Sequence, residues 1–389
     1  MNTQDQIYRD LQKHLDSPTG GFPAAASGAD IRLLKHLLTP EEAKIAAQLS
    51  TVKLEPVKTI YKRVRKSGMP MSIEELQRKL DQMVYKGTVL AYKEGYKEKH
   101  YKNASGAAGG MIDFQVDRLS KDLVEDIDKY HEEIFAARGR ERTPRTARIP
   151  ELRTIPVEKS VLLPEKYLVR TYEDVRWLVE NSPGPFSVAN CICRQMKDLR
   201  GQNCKYSDLR ETCLQIGPDH ARQYLDMRIG RSITKEEVFS LLDKFEEAGF
   251  ILMPENSQRP ENICCCCGDC CGVLGAALKS PKPADLYATN YYAEVDAKLC
   301  KGCGTCVQRC QLQARVLVDG KATVNLDRCI GCGNCVVTCQ SNATRLRKKD
   351  EELVPPKDRD DTIMRTLTNK LGKWNMLKLK LRMRLGLRV

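Results

Sequence analysis

Residues 299–311, LCKGCGTCVQRCQ, and residues 328–340, RCIGCGNCVVTCQ, repeat each other at an interval of 29 residues. Each copy spaces its cysteines C-x-x-C-x-x-C-x-x-x-C. A loop with a cysteine at every third position, freed by Gly302, Gly304, Gly331 and Gly333, can wrap three thiolates around one metal centre. The fourth cysteine of each copy is expected at the start of a helix, pointing away to a second centre. Two such copies predict a small module with two centres that share ligands across the repeat.

Working outward, cysteine usage is uneven. The chain of 389 residues has 18 cysteines, none before Cys191 and none after Cys339. Eight belong to the repeat. Four more lie in the segment from Cys191 to Cys213 (Cys191, Cys193, Cys204, Cys213), and six in ICCCCGDCCG (Cys264, Cys265, Cys266, Cys267, Cys270, Cys271). In a reducing compartment such groups read as metal sites before disulfides. Neighbouring side chains of an extended backbone point to opposite faces, so four consecutive cysteines do not easily serve one tetrahedral centre. They suit a cluster with ligands from elsewhere, or two adjacent centres. An iron–sulfur cluster, zinc and redox-active thiols all stand open for these ten. Arg194 and Arg200 flank the first group, where cations would lower thiolate pKa values.

Composition sets the frame. Apolar residues make 41% and charged residues 30%, with a mean hydropathy of −0.46, as in a globular protein rather than a disordered or membrane-spanning one. The first sixteen residues, MNTQDQIYRDLQKHLD, lack the apolar core of a secretory signal, so a cytoplasmic location is expected.

Upstream, helices are expected near 4–15 and 28–38, separated by SPTGGFPAAASG. A third starts at Thr39–Pro40 with Glu41 and Glu42, a fourth runs to Gly68, and a fifth starts at Ser72, with Glu75 completing a capping box, and stops at Gly87. TVLAYKEGYKEKHYKNA reads as two short strands around Gly95. Three helices and a hairpin in this order resemble the winged helix-turn-helix fold over about 40–103. A long helix is expected over 113–138, with Leu119, Leu123, Ile127, Tyr130 and Ile134 on one face. RGRERTPRTARIP reads as a basic linker. RTIPVEKSVLL alternates like a strand, SVANCICRQ reads as a strand leading into the first cysteines, and Ser232 is the expected cap of a helix over 234–249.

The repeat, the C-x-C-R segment, the C-C-x-x-C-C segment and the winged-helix-like start together resemble a family of 4Fe–4S ferredoxin-type proteins from anaerobic bacteria. The resemblance implies two [4Fe–4S] clusters, one held by Cys300, Cys303, Cys306 and Cys339 and the other by Cys329, Cys332, Cys335 and Cys310. It also implies an electron-transfer role. One departure stands out, since the proline that usually follows each fourth cysteine is Gln311 or Gln340 here. The paired C-C-G units resemble the cysteine motif of heterodisulfide-reductase-type catalytic subunits, in which the units lie far apart in sequence.

The remaining chemistry is sparse. His14, His36, His100, His131 and His220 neither pair with a nucleophile nor stand at ligand spacing. GAAGG at 106–110 lacks the phosphate-binding pattern and a preceding strand. The winged-helix-like segment has a basic wing (Lys93, Lys97, Lys99, His100, Lys102), but its presumed recognition helix mixes Glu74, Glu75 and Asp81 with Arg78, Lys79 and Lys86, so protein docking is favoured over DNA. Of the net charge of +13, residues 364–389 supply +8 and contain no acid. There Leu367, Leu371, Trp374, Leu377 and Leu381 recur at helical spacing while LKLKLRMRLGLRV alternates, leaving helix and strand both open. Such a basic segment suits an anionic membrane surface or an acidic partner.

The expected architecture is α+β. Residues 1–138 form a helical, winged-helix-like domain, 139–150 a basic linker, 151–290 a cysteine-rich metal-binding domain, 291–346 the two-cluster ferredoxin domain and 347–389 a basic amphipathic tail. The expected function is single-electron relay between a cytoplasmic donor and a partner oxidoreductase. A redox-sensing DNA-binding regulator and an enzyme centred on the ten cysteines are the alternatives.

Overall fold

The computed structural model describes residues 3–16, 21–92, 97–104, 110–140, 150, 152–161 and 171–384. Helices and sheets are mixed, an α+β architecture. The chain divides into two compact units, one of residues 1–143, 223–229 and 365–389, the other of 144–222 and 230–364. Most of the GAAGG segment, Lys93 and the centre of the basic linker lie outside the described residues.

In the first unit, helices Thr3–Asp16 and Ala29–Leu37 bury Leu11, Leu15, Leu33 and Leu34. Helix Pro40–Ala46 begins on a complete capping box, with Thr39 and Glu42 each satisfying the other's backbone N–H. A short strand Glu55–Pro56 follows, then helices Val57–Lys66 and Ile73–Tyr85 and strands Val89–Tyr92 and His100–Asn103. The three strands form an antiparallel sheet with His100–Asn103 in the middle. Ile60, Val64, Leu76, Leu80, Met83 and Tyr101 fill the space between helices and sheet. The helix expected from residue 113 begins at Lys121 instead. Asp113–Gln115 is a separate 3-10 turn and Asp117 has a left-handed φ of 61°, which breaks the helix before Ser120 caps it. Its apolar face still buries Leu123, Ile127, Tyr130 and Ile134.

The second unit is built on a five-stranded antiparallel sheet in the spatial order Arg231–Ile233, Phe186–Asn190, Glu211–Gln215, Asn262–Cys266, Ile251–Pro254. Helix Lys235–Ala248 packs Val238, Leu241, Leu242 and Phe245 into the core of this unit. It is capped by Thr234 rather than Ser232, because the strand Arg231–Ile233 occupies the expected cap position. Within RTIPVEKSVLL, Arg153 and Ile155 form isolated bridges, as does Leu152 just before it, and Glu158–Val161 is a 3-10 turn rather than a strand; Leu162 and Leu163 lie outside the described residues. Pro156 interrupts the segment, since proline cannot donate to a ladder.

The last helix, Arg359–Arg384, resolves the helix-or-strand ambiguity of the basic segment and is interrupted by Gly372 at φ 74°, ψ 164°. It buries Leu367, Met376 and Leu379, whereas Trp374, Leu377 and Leu381 are exposed. Among the described residues, no helix is long and apolar enough to cross a membrane.

Candidate metal centres

The repeat folds into two interlocked halves. Strand Tyr291–Val295 pairs with Thr344–Lys348, and strands Arg315–Val318 and Lys321–Val324 form a hairpin between them. Each cysteine loop turns on a glycine that tolerates no side chain. A Cβ on Gly302 (φ +68°) would lie 2.1 Å from the Gly320 carbonyl, and one on Gly331 (φ +67°) 2.4 Å from that of Tyr291. Backbone amides are aimed at the sulfurs. Ala322 N donates to Cys300 Sγ at 3.4 Å, Ala293 N to Cys329 Sγ at 3.4 Å, and Ala314 N to Cys310 Sγ at 3.2 Å. The fourth cysteines sit at helix ends, not starts: Cys310 closes helix Thr305–Arg309, and Cys339 follows helix Asn334–Val337. The helix turn brings each back across the repeat.

Cys310, Cys329, Cys332 and Cys335 line one cavity, together with Arg315 and Ile330. Burial pushes the Cys332 thiol up to about 12 and that of Cys335 higher than its ordinary value. Buried thiols of this kind surrender their protons when a metal takes their place. Cys300, Cys306 and Cys339 share a second packed group with Cys329 and Cys335, and the Cys339 charge acts on Cys303. Between the two sets lies Arg315, 2% exposed, whose Nη2 donates to Thr344 Oγ1 at 2.9 Å and whose side chain also bonds Cys306. Its Nε and Nη1 have no acceptor among the described residues. Orphaned buried donors beside eight cysteines fit bound sulfide, so the donor set and its surroundings suit [4Fe–4S] clusters.

The module is seated on the five-stranded sheet by polar side chains. Gln311, 6% exposed, accepts from Gly268 N at 2.5 Å through Oε1 and donates to the Gly249 carbonyl through Nε2. Asn334 Nδ2 donates to Gly249 O at 2.9 Å and Phe250 O at 3.1 Å, and Arg309 Nη2 donates to Glu246 O and Glu247 O. Cys310 and Cys332 pack in one group with Cys266 and Cys271. The departure from proline at position 311 thus supplies a bridge that proline could not make. Gln340, its counterpart, is exposed.

The ten upstream cysteines gather at one end of the sheet. Cys191 caps helix Ile192–Leu199, which carries Cys193, Arg194 and Lys197, and Cys213 pairs with Cys264 across neighbouring strands. Cys204, Cys267 and Cys270 meet with Asp269, their ligand atoms all within 4.8 Å of one another. Cys204 Sγ lies 3.7 Å from Cys267 Sγ. Elsewhere Cys271 bonds both Cys193 and Cys266, while Cys193 also bonds Cys191 and Cys266 bonds Cys264. Hydrogen bonding from Cys270, together with the Arg194 charge, lowers the Cys267 thiol below its ordinary range, and bonds from Cys193 and Cys266 lower Cys271 in the same sense. One thiolate is thereby favoured in each group.

Arg194 and Arg200 part company. Arg194 is 1% exposed, donates to Cys267 Sγ at 3.2 Å and to Ser207 O at 3.2 Å, and lies 4.4 Å from the centre of the Phe250 ring. Arg200 is exposed at the helix end. Lys197, Asp269, Arg315, Gln311 and Asn334 carry roles that cysteine spacing did not reveal. Lys197, three residues after Arg194, shares its helix face, and that spacing was the available signal. Cys265 is buried and bonds the Ile263 carbonyl, outside the Cys204 group.

Residues 292–340 match the family model of the 4Fe-4S dicluster domain. No curated protein and no solved structure matches the chain. The match covers the duplicated segment and leaves the ten upstream cysteines outside it. Duplicated ligands and the family match agree on a 4Fe–4S ferredoxin-type segment.

Proposed function

We propose that the chain relays single electrons from a redox partner, through two [4Fe–4S] clusters, into the cysteine-rich segment beside them. Cys300, Cys303, Cys306 and Cys339 hold the outer cluster in this reading, and Cys310, Cys329, Cys332 and Cys335 the inner one. When bound, each cluster supplies a one-electron couple whose potential depends on local charge, burial and N–H···S bonds. The amides of Ala293, Ala314 and Ala322 and the guanidinium of Arg315 do that tuning.

The observation that carries the reading is the polarity of the module. Cys303 is exposed, and Leu299, Val316, Leu317 and Val318 are exposed apolar residues of the adjoining loop and hairpin. A partner docking on such a rim would exclude water near Cys303. At the other side Cys310 and Cys332 pack against Cys266 and Cys271, with Gln311 bonded to Gly268. Electrons entering at Cys303 therefore have a packed, bonded way inward.

A second reading, a redox-sensing regulator, has the helix–strand–helix–helix–hairpin order of the first unit in its favour, which is that of a winged helix. Lys79, Lys86 and Lys99, however, are ion-paired with Glu41, Glu42 and Asp81. Cations so paired are poor phosphate ligands, and protein docking is the better use of that unit.

The test is anaerobic purification of the full chain with iron and sulfide quantification and EPR after stepwise reduction. About eight iron and eight sulfide from the duplicated segment, reducible one electron at a time, are expected. Zinc without sulfide, or clusters that cannot be reduced, would remove the proposal.

A further inference from the structure

Alternate residues of a strand face opposite ways, and Asn262–Cys266 obeys this rule. Ile263, Cys265 and Cys267 pack in the core group that includes Phe245 and Phe250, whereas Cys264, Cys266 and Cys271 pack in the group that includes Met253 and Leu312. The four consecutive cysteines are divided between two faces. We infer that the cysteines of the two faces belong to separate centres, and that the one on the Cys267 face is a single-ion site of the zinc class, ligated by Cys204, Cys267, Cys270 and Asp269, with Cys265 a buried core residue outside it.

Distance separates one ion from a cluster. Thiolates about 2.3 Å from a tetrahedral zinc lie about 3.8 Å from each other. Cys204 Sγ and Cys267 Sγ are 3.7 Å apart, and all four ligand atoms fall within 4.8 Å. A cube assigns each thiolate to a different iron and spreads its ligands wider. Cys267 and Cys270 are also joined as C-x-x-C, a usual spacing for zinc.

Charge and orientation agree. A divalent ion with three thiolates and one carboxylate retains two negative charges, and two cations border the site. Arg194 Nη2 donates to Cys267 Sγ, and Lys197 Nζ holds Asp269 Oδ2 at 2.5 Å. Lys205 N donates to the same oxygen at 3.1 Å, so that Oδ1 is the oxygen on the Cys270 side, 4.0 Å from its sulfur. Tyr206 N donates to Cys204 Sγ at 3.4 Å. Such outer partners fix ligand orientation around a metal. Binding displaces the thiol protons to solvent.

The inference does not rest on the ferredoxin reading, whose own measure is iron. Full chain produced with both zinc and iron supplied, and purified anaerobically, should contain about one zinc per molecule beside its cluster iron. Cys204→Ser and Cys270→Ser should lose the zinc and keep the iron, while Cys193→Ser, on the other face, should keep the zinc. Cobalt exchanged into the wild-type chain should give thiolate charge-transfer absorption and the intense bands of a tetrahedral ion, a reading that stands even where a serine variant fails to fold. Zinc-free wild-type protein without those cobalt bands would overturn the inference. So would a Cys204→Ser chain that loses iron in place of zinc, or a Cys193→Ser chain that loses zinc as fully as Cys204→Ser. Absence of iron with zinc retained would instead count against the ferredoxin reading alone.

Discussion

Replacing Gln311 with alanine should destabilise the second unit sharply, while the same change at Gln340 should do almost nothing. The two positions are equivalent in the repeat, so each is the other's control. Gln311→Ala leaves the part-buried Gly268 N–H without its acceptor, and such an orphaned donor costs about 1–3 kcal/mol. The Gly249 carbonyl loses one donor but keeps Asn334, so that loss is nearer an ordinary hydrogen bond, about 0.5–1.5 kcal/mol. The sum is about 1.5–4.5 kcal/mol. For a unit of this size that lowers the thermal midpoint by about 3–18 °C. Gln340 is exposed, and its truncation should stay within about 0.5 kcal/mol. Thermal unfolding of both anaerobic variants, followed by circular dichroism and by loss of cluster absorbance, is the assay. Equal midpoints for the two would refute the bridging role of Gln311, as would a Gln340→Ala chain that falls further.

Other perturbations separate the remaining roles. Cys332→Ser should remove about half of the ferredoxin-type iron, because its thiolate faces only the inner cavity, and unchanged iron content would reject that ligand set. Arg315→Gln should lower the reduction potentials by tens of millivolts, since a buried cation stabilises the more negative reduced state; redox titration by EPR reads the shift. His220 is buried, and desolvation with the Arg359 charge lowers its pKa to about 3. The unfolded chain therefore takes the proton first, so stability falls as pH drops from about 6.5 towards 3, with a slope of up to about 1.4 kcal/mol per pH unit. Burial raises the neighbouring Asp219, Glu255 and Glu261, which act in the opposite sense, so the measurement is the difference in slope between wild type and His220→Gln. A chain ending at Met364 should keep its iron yet lose salt-sensitive binding to anionic vesicles, because the exposed Trp374, Leu377 and Leu381 and the surrounding lysines go with the tail. Iron loss in that chain would make the tail a packing element.

Local patterns were legible in the sequence and distant ones were not. The repeat could be read because ligand spacing and the glycines between are properties of a few adjacent residues. Helix caps at Thr39 and Ser72 were visible for the same reason. Ser232 misled because a strand, paired with Phe186–Asn190, claims that residue, and strand pairing is not a local property. The partition of the ten cysteines shows the same limit. Period-two alternation indicated that four in a row do not easily serve one tetrahedral centre, leaving one cluster or two centres open, but Cys204 joins Cys267 from 63 residues away. Arg194 and Arg200 look alike beside the cysteines, yet helix phase buries one and exposes the other. Gln311 was conspicuous as a missing proline, and its use could not be read because Gly268 lies 43 residues upstream.

The duplication keeps its symmetry in the ligands, the loop glycines and the amides of Ala293 and Ala322, and has lost it at several positions that face other parts of the chain. Gln311 is buried and Gln340 exposed; Asn334 grips the Gly249 turn while Thr305, its counterpart, contacts Cys303. Arg315 and Thr344 are also equivalent positions, and they meet each other at the centre. A pair of identical halves has no front or back. Here the ligand spacing stays the same, and the positions between the ligands distinguish a side exposed at Cys303 from one packed on Cys266 and Cys271. Exchanging the two halves would preserve every cysteine and turn the module end for end.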